Sequence, residues 1–158
     1  MDRGVLETGC GRGRLGELMD DREKIARKLR SMKKYVDFLK SYNSLRTERL
    51  EEDYELRSAI ERNLQLAIES ALDIGEHLIA ARGLRKPETY REVLEILGEA
   101  GILPKDFAAR FSEAAKFRNI LVHMYAEVAE EMLCEILRTN LQDFDEFATY
   151  IARYLEDL

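Results

Sequence analysis

The chain has 158 residues, enough for one domain with a real core. Hydrophobic residues make up 46% and charged residues 35%, with two prolines, the balance of a soluble, helix-rich protein. The net charge of −6 excludes a generally basic nucleic-acid coat, so any nucleic-acid contact must use a local patch. No apolar run approaches membrane-spanning length and no secretory signal pattern is expected, so no membrane contact is foreseen. Cys10 and Cys134 lie far apart without metal-type spacing and read as free thiols in a reducing cytoplasm.

Residues 1–19 stand apart. Val5-Leu6-Glu7-Thr8-Gly9-Cys10-Gly11-Arg12-Gly13 resembles motif I of nucleotide-dependent methyltransferases, and Gly11–Gly16 satisfies G-x-G-x-x-G. That motif needs a strand before it and a sheet with further βα units, neither of which the pattern supplies. The stretch is therefore expected to be a flexible extension, with one domain over residues 20–158.

The first helix is expected from about Asp21 to Tyr42, capped by Asp20 with Glu23. Ile25, Leu29, Met32, Val36 and Leu39 make its apolar stripe. The cations from Arg22 to Lys34 read as a solvated face, or alternatively as a surface tracking an RNA backbone. Leu45–Glu52 is charged and ambiguous.

A longer helix is expected from about Asp53 to Ala81, with Leu56, Ile60, Leu64, Ala67, Ala71, Ile74 and Leu78 as its main stripe. Leu66, Ile68 and Leu72 widen that stripe, which makes this helix central. Gly83 is its natural stop. Glu69, Asp73 and His77 share one face at i, i+4, i+8. With only two histidines in the chain they read as polar contacts between helices rather than a metal site.

Thr89 with Glu92 forms a capping-box pattern opening a helix to about Ala100, ended by Gly101. Pro104 suits the first position of the next helix, which turns Phe107, Phe111, Ala114 and Ala115 inward and delivers Arg118. Ile120–Tyr125 has strand-like composition, but no second strand exists to pair with it. Glu127–Leu137 reads as helix, and Asp143 with Glu146 suits the cap of a last helix to about Leu155. The fold class is thus all-α, an antiparallel helical bundle of about five to six helices.

The chemistry concentrates in Arg118-Asn119-x-x-x-His123-x-Tyr125. A guanidinium holds phosphate through paired hydrogen bonds. An imidazole passes protons near neutrality. A tyrosine hydroxyl donates, accepts or is modified. In one unbroken helix Arg118 and His123 point about 140° apart. Three arrangements resolve this: a break near Ile120–Val122, side chains curling round the helix end, or a cleft shared between two copies.

This motif resembles the R-x4-6-H signature of HEPN domains, and the added x-Tyr resembles the HepT-like toxins. The likeness runs through most of Arg57–Leu158, notably Leu64–Glu69 and Tyr90–Val93. It implies a HEPN-like bundle and a homodimer. It also implies metal-independent RNA cleavage in a toxin–antitoxin pair, with Arg118 and His123 catalytic and Asn119 orienting. A minimal nucleotidyltransferase (MntA-like) antitoxin would be the partner, transferring AMP to Tyr125. No cofactor and no metal are expected. The alternative is a non-catalytic helical adaptor that docks a nucleotidyltransferase.

Overall fold

The computed structural model describes the backbone of residues 3–123 and 128–158, and side chains from Asp21 onward within those ranges. Seven helices follow one another among the described residues: α1 (Arg3–Lys40), α2 (Thr47–Glu52), α3 (Tyr54–Arg82), α4 (Tyr90–Glu99), α5 (Lys105–His123), α6 (Glu130–Thr139) and α7 (Gln142–Glu156). The described residues contain no strand. The seventh helix, beyond the five or six expected, is the short α2 in the stretch whose charge left it ambiguous.

Helix α3 is the axis of the bundle. Asp53 caps it, its carboxylate accepting from the Leu56 N–H at 3.0 Å. Gly83 closes it at φ 66°, with Leu84 N–H donating to Ile79 O and Gly83 N–H to Ala80 O, the paired bonds of a Schellman stop. All seven residues of the expected main stripe are buried, as are Ile68 and Leu72. Gly75 lets α4 touch α3, because a Cβ there would sit 2.5 Å from Val93 Cγ1.

The neighbours run antiparallel. Asp21 meets His77 and Lys28 meets Asp73, so α1 runs opposite to α3. Glu69 meets Arg118 and Arg57 meets Val128, which sets α5 and the segment beyond it antiparallel to α3. Phe107 packs on Tyr150, and Phe111 on Phe144 and Phe147, which sets α7 antiparallel to α5. Glu69, Asp73 and His77 each face a different partner, Arg118, Lys28 and Asp21, as ordinary contacts between helices.

Three local expectations change. Helix α1 begins at Arg3, not Asp21, so Asp20 lies inside the helix rather than at its N-terminus. Glu7, Arg12, Arg14, Leu15 and Glu17 are good helix formers, and no proline interrupts them. The G-x-G-x-x-G stretch is therefore helical, as is Val5 before it. Asp143 does not cap α7. It is buried and pairs with Arg110 at 3.5 Å, and no side chain caps that helix. Pro104 sits one position before α5, where its carbonyl accepts the first helical bond from Ala108 N–H. The Thr89 cap holds at 3.1 Å to Glu92 N–H, while Glu92 reaches back to the N–H of Glu88.

Candidate functional site

Helix α5 carries the motif on its last turns and continues unbroken to His123. The break considered near Ile120–Val122 is therefore absent, since buried Leu121 packs this turn onto the core. Tyr125 lies outside the described residues.

Arg118 is turned toward α3 and α4. Its Nε and Nη2 each lie 3.2 Å from Glu69 Oε2, and its Nη1 donates to Asn119 Oδ1 at 3.3 Å. The guanidinium also lies over the Tyr90 ring, 4.6 Å from the centroid. Its side chain is 16% exposed. Gln65 Nε2 donates to the same Glu69 oxygen at 3.1 Å, so a turn of α3 orients the carboxylate that orients the arginine. Asn119 and His123 are exposed. On a continuous helix His123 stands about 140° round from Arg118. One protomer thus presents the two groups on different sides of α5.

The segment after the motif is fastened on its far side. Arg57 donates to Glu61, to Glu130 in the first turn of α6, and to the carbonyl of buried Val128. Glu61 and Glu130 hold this arginine's pKa above its ordinary value against the opposing effect of burial. Leu121 and Val128 thus anchor both sides of the four positions that include Tyr125.

Three of the seven cations in the basic run of α1 are engaged with the protein itself. Arg22 donates to the Leu155 carbonyl, Lys28 pairs with Asp73 at 3.3 Å, and Lys33 with Asp37 at 2.8 Å. Lys24, Arg27, Arg30 and Lys34 are exposed and make no ion pair among the described residues. Among the described residues no group of three His, Cys, Asp or Glu side chains is arranged to hold a metal.

The sequence pointed to Arg118, Asn119 and His123 but not to the role of Glu69, Gln65, Tyr90 and Arg57. Gln65 and Glu69 at i, i+4 are a weak signal of a shared face. Nothing in spacing alone shows that Tyr90, from another helix, lies under Arg118.

An antiparallel all-α bundle displaying Arg118-Asn119-x-x-x-His123 at the end of one helix is a HEPN-like protein. The family model described as "Ribonuclease HepT-like" matches residues 32–151, and the chain belongs to that family. Among curated proteins it is similar to the tRNA nuclease HepT of Aphanizomenon flos-aquae. That match has 27% identity over 131 residues, covering 83% of this chain and 89% of the relative. It is also similar to the mRNA nuclease HepT of Shewanella oneidensis, 25% identical over 100 residues, covering 63% and 75%. Among solved structures it resembles a tri-AMPylated Shewanella oneidensis HEPN toxin in complex with an MNT antitoxin. There the TM-score is 0.74 at 22% identity, covering 82% of this chain and 96% of that one. The cytosolic protein YutE of Bacillus subtilis, of unknown function, matches with TM-score 0.71 at 24% identity over 87% and 92%. At these identities the structural likeness speaks for the fold.

Proposed function

We propose that the protein is a metal-independent endoribonuclease acting as the toxin of a toxin–antitoxin pair. The observation that carries this reading is the preset cation at the end of α5. Arg118 is held by Glu69 and Tyr90 with Asn119 exposed beside it, while His123 stands exposed on another side of the same helix end.

RNA supplies its own nucleophile. The 2′-oxygen attacks the adjacent phosphorus and the bond from phosphorus to the 5′-oxygen breaks. One proton leaves the 2′-hydroxyl and one reaches the departing 5′-oxygen. His123 moves a proton in this exchange as general base or acid. Arg118 stabilises the charge that builds on the phosphorus oxygens. Asn119 holds the Arg118 fork in register. Because one protomer displays Arg118 and His123 on different sides of α5, a cleft between two copies supplies the missing half.

A minimal nucleotidyltransferase is the partner in this scheme, and Tyr125 receives AMP. The modification adds bulk and negative charge beside the site and competes with the RNA phosphate. The likeness to HepT nucleases and to a toxin crystallised with its antitoxin supports this reading.

One observation favours the second reading, a helical adaptor without catalysis. Arg118 already has a carboxylate partner, as a structural arginine does. Incubating the purified protein with total RNA in chelator separates the two. Cleavage that disappears in His123→Ala is expected. Intact RNA under all conditions, with a nucleotidyltransferase still bound, would leave the adaptor.

A further inference from the structure

Beside the motif lies a second feature that the catalytic scheme does not use. A cleft of about 430 Å³ opens between the first three turns of α3 and the end of α5. Tyr54, Arg57, Glu61, Arg62, Gln65 and Leu121 line it. Its size falls in the roughly 300–1,000 Å³ range of small-ligand clefts.

Its chemistry is particular. Tyr54 is 81% exposed, a large aromatic ring offered to solvent at the start of a helix. Arg62 is exposed two turns further along the same face. Among the described residues it makes no ion pair. Arg57 pairs with Glu61 at 2.8 Å and also with Glu130, so the wall keeps one negative charge in excess, which Arg62 offsets. Gln65 sits at the far end and joins the cleft to the Glu69–Arg118 pair.

The positions run in line. Tyr54, Arg62, Gln65 and Glu69 lie on one stripe of α3, and Arg62 stands about 10 Å along the axis from Glu69. A strand that leaves Arg118 along this stripe meets Arg62 and then Tyr54. A chain with net charge −6 needs such a local cation to hold it there.

We propose that this cleft is a single-stranded RNA subsite. Tyr54 stacks on the base of a nucleotide neighbouring the cut, and Arg62 takes that nucleotide's phosphate. The inference deepens the ribonuclease reading and rests on it for the direction of the strand. The recognition needs only a π-face and a phosphate, so it tolerates any base.

The test is binding, measured apart from cleavage. Fluorescein-labelled oligo(U) and oligo(A) of about ten nucleotides are titrated with the full chain in a His123→Ala background, where cutting is blocked, and fluorescence anisotropy is followed from low to high salt. Tyr54→Ala is expected to weaken binding about 5- to 150-fold, and Tyr54→Phe to keep it. Arg62→Ala is expected to reduce the slope of log affinity against log salt by about 0.7, with Arg62→Lys restoring it. Both side chains are exposed, so the variants should melt with the parent. Unchanged affinity in Tyr54→Ala and Arg62→Ala overturns the subsite, as does a parent chain that binds neither oligomer. The same oligomers are assayed for cleavage with His123 in place. Cutting that persists without these binding effects leaves the nuclease reading and removes the subsite. Binding that depends on Tyr54 and Arg62 without cutting does the reverse.

Discussion

The two halves of α5 are built on opposite principles. Its first half turns Phe107 and Phe111 into an aromatic cluster with Phe144, Phe147 and Tyr150, with ring centroids 5.1–5.4 Å apart. Its second half turns Arg118 onto a carboxylate and a tyrosine face and leaves Asn119 and His123 in solvent. The first half draws its energy from area removed from water. The second also buries Ala115 and Leu121, but its polar partners contribute position more than stability. A substitution in one half should therefore be read in unfolding, and in the other half in chemistry.

The largest effect tests the apolar half. Phe147, fully buried against Phe111, should cost about 3–5 kcal/mol when cut to alanine, seen as a lower urea midpoint with an unchanged slope. A loss under about 1 kcal/mol would mean the cluster is not the anchor of α5. At the polar end, His123→Ala should lower the cleavage rate about 10²–10⁴-fold while moving the midpoint by less than about 0.5 kcal/mol. Loss of stability together with activity would erase the contrast.

Gly75 sharpens the comparison at the α3–α4 contact. Alanine gains up to about 1 kcal/mol of helix propensity, but its Cβ meets Val93 Cγ1 at 2.5 Å. Overpacking of about 1–3 kcal/mol should win, giving a net fall in thermal stability. Removing the Asp53 cap by alanine should cost about 1 kcal/mol, read by the same denaturation series. The smallest effect concerns Cys134, which is buried and whose thiol burial pushes to a raised pKa. Above about pH 8.5 the unfolded thiol ionises while the folded one keeps its proton, so stability should fall slightly as pH rises. In a Cys10→Ser background, alkylation of Cys134 should stay slow until the protein is unfolded.

How much of this was legible follows the same division. Periodicity located α3 within a residue at each end, because an apolar stripe, an aspartate cap and a stopping glycine all agree there. Burial of Phe107 and Phe111 was equally readable. The start of α1 was missed, since an Asp before a stripe signals a cap whether or not the helix has already begun. Asp143 was misread for a related reason: its partner Arg110 comes from another helix, and a local pattern carries no such contact. The motif residues stood out by type and spacing. That Glu69 and Tyr90 would fasten Arg118 depends on how three helices cross, which one-dimensional spacing does not encode.

The most direct test replaces a single atom of the substrate. An oligoribonucleotide that the purified protein cuts in chelator is remade with one 2′-deoxy sugar at the cut position. The cut should vanish there, and the all-ribose product should end in a 2′,3′-cyclic phosphate. Cutting at an undiminished rate without the 2′-hydroxyl, or only after a divalent metal is added, would contradict proton transfer and charge stabilisation by His123 and Arg118 as the basis of the chemistry.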